Sequence, residues 1–103
     1  MNVERWNAER DGPLTESALW QKLEGLGYEV DRYEYPPGTR FGSHSHPIDK
    51  ADAVLSGSFK VTMEGRSVVL EAGDILFAPR GTPHSAEVVG GETVVSLDGV
   101  KVD

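Results

Sequence analysis

The chain has 103 residues, the length of one domain, and its composition excludes several classes of protein. It carries 17 acidic and 10 basic side chains, and its formal net charge of −7 would repel phosphate backbones and anionic lipids. It contains no cysteine, which excludes disulfides, iron–sulfur clusters and thiolate zinc sites, so any metal must be held by nitrogen and oxygen ligands. We therefore expect neither a nucleic-acid-binding protein nor a membrane protein.

The N-terminal region predicts one short helix and no secretory signal. Residues 1–20 carry scattered charges without a continuous apolar segment, so we expect a cytoplasmic protein. Residues 14–26 predict a helix that Thr15 can cap at its start and that Gly25 or Gly27 can end. Its apolar side chains recur at helical spacing: Leu19, Trp20, Leu23 and Leu26. This apolar stripe should pack either on the rest of the domain or on a partner subunit.

Beyond the helix, short runs of strand-forming residues alternate with glycines. Residues 58–63 alternate apolar and polar side chains, a Glu-Gly turn follows, and residues 67–71 return as the second arm of a hairpin. Further strands are predicted over residues 75–79, 84–89 and 92–97. In residues 28–35 the alternation changes phase, which predicts a β-bulge near Asp31. The pattern predicts one antiparallel all-β domain, a sandwich or a barrel.

The three histidines are the residues whose spacing indicates chemistry. His44 and His46 are two positions apart, and on a strand they would project from the same face, so their imidazoles can converge on one ion. His84 follows a stretch rich in glycine and proline that predicts a tight turn before a strand. If that strand brings His84 to the pair, the three can hold a mononuclear metal ion.

Two motifs around these histidines resemble those of the cupin family. The first cupin motif is Gly, five residues, His-x-His, three or four residues, Glu, six residues, Gly, and it is matched by Gly38, His44, His46 and Gly57. The second is Gly, five residues, Pro-x-Gly, two residues, His, three residues, Asn, and it is matched by Gly73, Pro79, Gly81 and His84. The sequence departs from the family at two positions: Lys50 takes the place of the glutamate and Val88 that of the asparagine.

The resemblance covers roughly residues 28–98 and implies an antiparallel jelly-roll β-barrel with one short N-terminal helix. It implies a single domain over residues 1–103, with residues 1–27 as an N-terminal segment and helix. It further implies a divalent metal ion (zinc, nickel, manganese or iron), a small-molecule ligand or substrate, and a homodimer. The metal ligands that the resemblance implies are His44, His46 and His84.

The lysine in the glutamate position changes the expected chemistry of the site. A protonated Lys50 cannot bind a cation and would repel it. Asp52 shares a face with Lys50 on a regular strand, so it can neutralise the lysine or approach the metal. The alternative is that Asp49 and Asp52 are ordinary solvated charges. We treat Lys50 and Asp52 as candidate catalytic groups. Arg40 and Arg80, near the two motifs, are weaker candidates for binding a substrate carboxylate.

Two functions are compatible with these residues. The first is a metal-dependent enzyme of the dioxygenase or isomerase type that acts on a small polar organic molecule. The second is a non-catalytic or sensory small-molecule-binding cupin with weak metal binding or none. The fold supports both, because cupins with different functions share it.

Overall fold

The computed structural model describes residues 1–102. The helices are α1 (Ala8–Asp11) and α2 (Glu16–Gly25). The strands are β1 (Asn2–Glu4), β2 (Tyr28–Tyr35), β3 (Arg40–His44), β4 (Lys50–Ser56), β5 (Ser58–Met63), β6 (Arg66–Leu70), β7 (Ile75–Ala78), β8 (His84–Val89) and β9 (Val94–Lys101). They form a five-stranded sheet of order β1-β7-β4-β9-β2 and a four-stranded sheet of order β3-β8-β5-β6.

Every strand pairing among the described residues is antiparallel, which confirms the predicted all-β fold class. The two sheets face each other but are not joined into a closed barrel within residues 1–102. Between them lies an apolar core that includes Val54, Val61, Leu76 and Val94. The predicted hairpin is confirmed, because Met63 pairs with Arg66 across a two-residue turn.

Helix α2 packs on the outer face of the five-stranded sheet and starts where the sequence indicates. The Thr15 side chain accepts a hydrogen bond of 3.0 Å from the Ala18 backbone N–H and caps the helix. Leu19 and Leu23 are fully buried in a second core, which contains residues of that sheet such as Leu97. Of the two alternatives for the apolar stripe, the structure therefore shows packing on the chain's own domain.

Two local predictions differ from the structure. The prediction of a single helix missed α1, a single turn that is too short to produce a periodic apolar pattern and is capped by the Asn7 side chain. The predicted bulge near Asp31 is wrong, because β2 pairs with β9 in an unbroken register. The alternation changes phase because opposite faces of this regular strand are covered at its two ends. Val30 packs under α2, whereas Tyr35 packs in the core between the sheets.

Two motif glycines have structural roles. Gly57 has a φ of +84°, and a Cβ there would lie 2.8 Å from the Thr93 carbonyl oxygen. Gly73 has a φ of +90°, and a Cβ there would lie 2.5 Å from the Trp6 Cβ. These positions shape the turns rather than the chemistry. No helix within residues 1–102 has the length and apolar character needed to cross a membrane.

Candidate metal centre

The three histidines converge at one end of the space between the sheets. His44 ends β3 and His84 begins β8, and their Cα atoms are partners in the β3–β8 ladder. His46 lies just beyond the strand, in a loop tied to the second motif by a 2.8 Å hydrogen bond from the Gly81 N–H to the His46 carbonyl. The ring centroids lie 4.4 Å (His44–His84), 4.9 Å (His44–His46) and 5.3 Å (His46–His84) apart.

Backbone carbonyls fix the orientation of two of the rings. His44 Nδ1 lies 2.7 Å from the Gly42 oxygen, and His84 Nδ1 lies 3.1 Å from the Thr82 oxygen. A carbonyl only accepts, so each Nδ1 carries the proton and each Nε2 keeps a lone pair for a metal. One ligand atom from each of the three histidines lies within 4.8 Å of the other two. The residues therefore fit a divalent metal bound by three imidazoles.

The imidazoles open into a cavity of about 280 Å³ between the sheets. Besides the histidines, its lining residues are Tyr33, Tyr35, Phe41, Lys50, Asp52, Phe59, Ala86 and Asp98. Tyr35, Phe41 and Phe59 form an aromatic cluster with centroid separations of 5.0 to 6.2 Å. A larger and more open groove of about 690 Å³ lies beside Gly57 and Gly90 and contains no histidine, so it is a weaker candidate for a reactive site.

Burial and neighbouring positive charge keep two of the imidazoles neutral. Burial lowers the pKa of His46 below its ordinary value, and the charges of Lys50 and the other histidines lower it further. Burial likewise lowers the pKa of His84, which is only 6% exposed. A neutral imidazole is the form that binds a metal, so protons compete only weakly for these two rings near neutral pH.

The sequence candidates Lys50 and Asp52 both line this cavity, on the inward face of β4. Sequence reasoning missed a third charged residue, Asp98, which faces Asp52 across the β4–β9 ladder. Asp98 accepts hydrogen bonds from the Tyr35 hydroxyl at 3.2 Å and the Ser96 hydroxyl at 2.7 Å. Asp98 belongs to neither motif, and the only sequence signal for it is a charged residue within an otherwise apolar strand.

The Asp52 and Asp98 carboxyl groups form a pair that favours retention of a proton. Burial raises the pKa of Asp52 to about 7, and the neighbouring charge of Asp98 raises it in the same direction. Two carboxylates on directly paired residues are not both readily ionised, so Asp52 can hold a proton near neutral pH. Such perturbed carboxyl groups concentrate at functional sites.

The weaker candidates Arg40 and Arg80 do not line this cavity. The Arg40 guanidinium forms a 3.1 Å ion pair with Glu87, and its side chain is 79% exposed. The Arg80 backbone N–H donates to the Asp49 side chain at 2.8 Å, which joins the loops that carry the two motifs. Lys50 is thus the one lysine or arginine among residues 1–102 that lines the cavity.

Replacing Asp52 with asparagine should stabilise the metal-free protein at pH 8. A carboxyl whose pKa is raised by folding favours the folded state while protonated, and this contribution is lost as the pH rises from about 4 towards 7. The amide cannot ionise and can still donate to Asp98, so Tm at pH 8 should rise by roughly 5 °C or more. The gain should shrink as the pH falls to 4, as measured by thermal unfolding.

The exposed Glu29→Gln change on β2 removes one negative charge outside the cavity and serves as the control for Asp52→Asn. Its effect on Tm should be small at both pH values. A lower Tm for Asp52→Asn at pH 8 would show that the ionised carboxylate stabilises the fold, the opposite of what its raised pKa predicts.

Comparison with known proteins identifies the family. A model described as the cupin domain matches residues 31–100. A solved protein with a double-stranded β-helix domain from Klebsiella pneumoniae is 30% identical, with a TM-score of 0.62 over 73% of this chain and 67% of that one. A predicted oxalate decarboxylase from Thermotoga maritima is 25% identical, with a TM-score of 0.67 over 81% and 74%.

The DMSP lyase DddQ from Ruegeria pomeroyi is 26% identical, with a TM-score of 0.66 over 75% of this chain. The match spans only 39% of the lyase, so a large part of that enzyme has no counterpart here. No curated protein matches the chain significantly. Because the family model extends over more than half of the sequence and includes all three histidines, the chain belongs to the cupin family.

Proposed function

We propose that this cupin is a metal-dependent enzyme that acts on a small polar organic molecule. One divalent ion (zinc, nickel, manganese or iron) would be held by the Nε2 atoms of His44, His46 and His84. The observation that carries this proposal is the convergence of three imidazoles, two of them oriented by backbone carbonyls, at the wall of a cavity of about 280 Å³.

When bound, the ion would supply Lewis-acid or oxygen-activating chemistry. The surrounding residues support substrate binding and proton transfer. The aromatic cluster of Tyr35, Phe41 and Phe59 excludes water from one side of the cavity. The Asp52 carboxyl can hold a proton near neutral pH and deliver it to a substrate atom, as a general acid requires.

The alternative function is a non-catalytic cupin that binds a small molecule with weak metal or none. One observation favours it: the Lys50 ammonium lines the same cavity as the histidines and would repel a cation. A homodimer and a cytoplasmic location are further parts of the proposal, supported by the family resemblance and the sequence composition. Because Leu19 and Leu23 are buried against their own sheet, these two side chains are not available to a dimer contact.

Metal content tests the proposal. Protein freed of metal with a chelator and then dialysed against each of the four ions should retain one ion per chain, as measured by elemental analysis. Alanine variants of His84 and His46 show whether any retained ion lies at this site. Retention of no ion under any of these conditions would leave the binding-protein alternative.

Metal affinity should fall as the pH is lowered, with a midpoint below the ordinary histidine pKa of about 6.5. Protons and metal compete for the same Nε2 atoms, and the lowered pKa values of His46 and His84 move this competition to more acidic pH. Competition with a chromophoric chelator between pH 5 and 8 measures the midpoint. An affinity that does not change over this range would be inconsistent with imidazole ligands.

A further inference from the structure

The lysine in the glutamate position leaves the cavity with a cationic group beside the three imidazoles. Lys50 lines the same cavity as the three histidines and Asp52. None of the ion pairs formed among residues 1–102 includes Lys50. The structure thus contains a cation at a cavity wall without a carboxylate in direct ionic contact.

The two acidic residues of the cavity have neighbours other than Lys50. Asp98 accepts from the Tyr35 and Ser96 hydroxyls, and Asp52 faces Asp98 across the ladder. A cation in a partly desolvated cavity is stabilised by an anion that can reach it. A divalent ion on the histidines would add further positive charge at the same wall. Electrostatics therefore favour a negatively charged ligand in a protein whose overall charge is −7.

Aromatic rings form a further part of the cavity lining. The Phe59 ring is 4% exposed, and it contacts Tyr35 with a centroid separation of 5.6 Å. Phe41 packs edge-on to both, at 5.0 Å from Tyr35 and 6.2 Å from Phe59. A cavity of about 280 Å³ equals roughly nine water volumes, so a ligand of about ten non-hydrogen atoms fits inside it.

We propose that the cavity binds a small monocarboxylate with a planar or apolar body, its carboxylate on Lys50 and its body against Tyr35, Phe41 and Phe59. This inference names the substrate class of the site and so rests on the proposed function. It assigns Lys50 a specific role: where a family-typical glutamate would complete the metal's ligand set, the lysine binds the acidic group of the ligand. The positively charged end of the cavity and its aromatic side together select an amphipathic anion.

Benzoate tests the proposal, because it combines a carboxylate with a flat apolar body of about the right size. Benzamide has the same shape without the charge, and acetate has the charge without the ring. Calorimetric titration of zinc-loaded protein should give at least roughly tenfold tighter binding of benzoate than of either analogue. Equal affinity for benzamide would overturn the role of charge, and equal affinity for acetate would overturn the role of the aromatic residues.

Lys50→Met keeps most of the side chain's length and removes its charge, and it should weaken benzoate binding by roughly tenfold without changing benzamide binding. Lys60→Met is the matched control, because Lys60 lies on the outward face of β5 and does not line the cavity. It should bind benzoate like the parent. Lys50→Arg keeps the charge and should retain most of the affinity, which guards against a fold defect in the methionine variant. Undiminished benzoate binding by folded Lys50→Met would overturn the proposal.

Repeating the titrations on metal-free protein separates this proposal from the proposed function. If no metal is retained and benzoate still binds in a Lys50-dependent manner, the ligand class holds and the metal enzyme does not. If one ion per chain is retained and benzoate is not preferred to benzamide, the metal centre holds and the ligand class is wrong.

Discussion

Replacing His84 with alanine is expected to abolish stoichiometric metal binding, with a loss of affinity of at least about a hundredfold. Losing a partner that only orients a ligand already costs about 10- to 100-fold, so losing a ligand should cost more. His84 is the candidate ligand contributed by β8. Its Nδ1 donates to the Thr82 carbonyl, so only its Nε2 is available to bind a metal. Equilibrium dialysis followed by elemental analysis measures the loss.

Two controls separate ligation from folding. His84 is buried, so its variant is expected to lose stability, whereas the His46 side chain is half-buried and His46→Ala should show the same metal loss with less disturbance. Ser85→Ala changes the next residue of β8, whose side chain lies on the opposite face, and should retain the parent's metal. Full metal content in folded His84→Ala would show that the three-histidine site is wrong.

Replacing Lys50 with glutamate is expected to tighten metal binding by roughly tenfold or more, where each tenfold corresponds to about 1.4 kcal/mol. The change removes a charge that repels the cation and introduces an oxygen ligand at the position where the cupin motif has one. Lys50→Ala, which only removes the repulsion, should fall between the parent and the glutamate variant. Titrations with zinc, nickel, manganese and iron(II) measure the order.

Lys60→Glu carries the same change in net charge on the outward face of β5 and should leave the affinity nearly unchanged. Without metal, Lys50→Glu places a third carboxyl beside Asp52 and Asp98, so its Tm should fall and then recover when metal is added. Unchanged affinity in both Lys50 variants would mean that the ammonium does not act on the metal site. A tighter metal site combined with loss of benzoate binding would support the division of roles proposed for this lysine.

The local features of the fold followed from the sequence because neighbouring residues decide them. The Thr15 cap, the helical spacing of Leu19 and Leu23, and the two-residue turn after Met63 each depend on contacts within a few positions. The same reasoning failed for β2, where the faces were assigned from alternation alone. Which face of that strand is covered depends on α2 and on the opposite sheet, and neither is local to it.

The spacing of the two motifs is enough to select His44, His46 and His84 as metal-ligand candidates, and the structure places their ring nitrogens within 4.8 Å of one another. The way in which the rings meet differs from the expectation. His46 lies beyond the end of β3, so its ring does not reach that of His44 by simple strand alternation. Their approach depends on the loop held by the hydrogen bond from Gly81 to His46.

The sequence by itself determined the fold class, the family and the identity of the candidate ligands, because short spacings and local turn chemistry encode them. Only the tertiary structure decided what surrounds those ligands. The β4–β9 register places Asp98 opposite Asp52, and the facing of the two sheets brings Phe41 and Phe59 to the cavity that Lys50 lines. These residues are distant in the chain, and their contacts are set by strand register and sheet packing, which are properties of the whole folded chain.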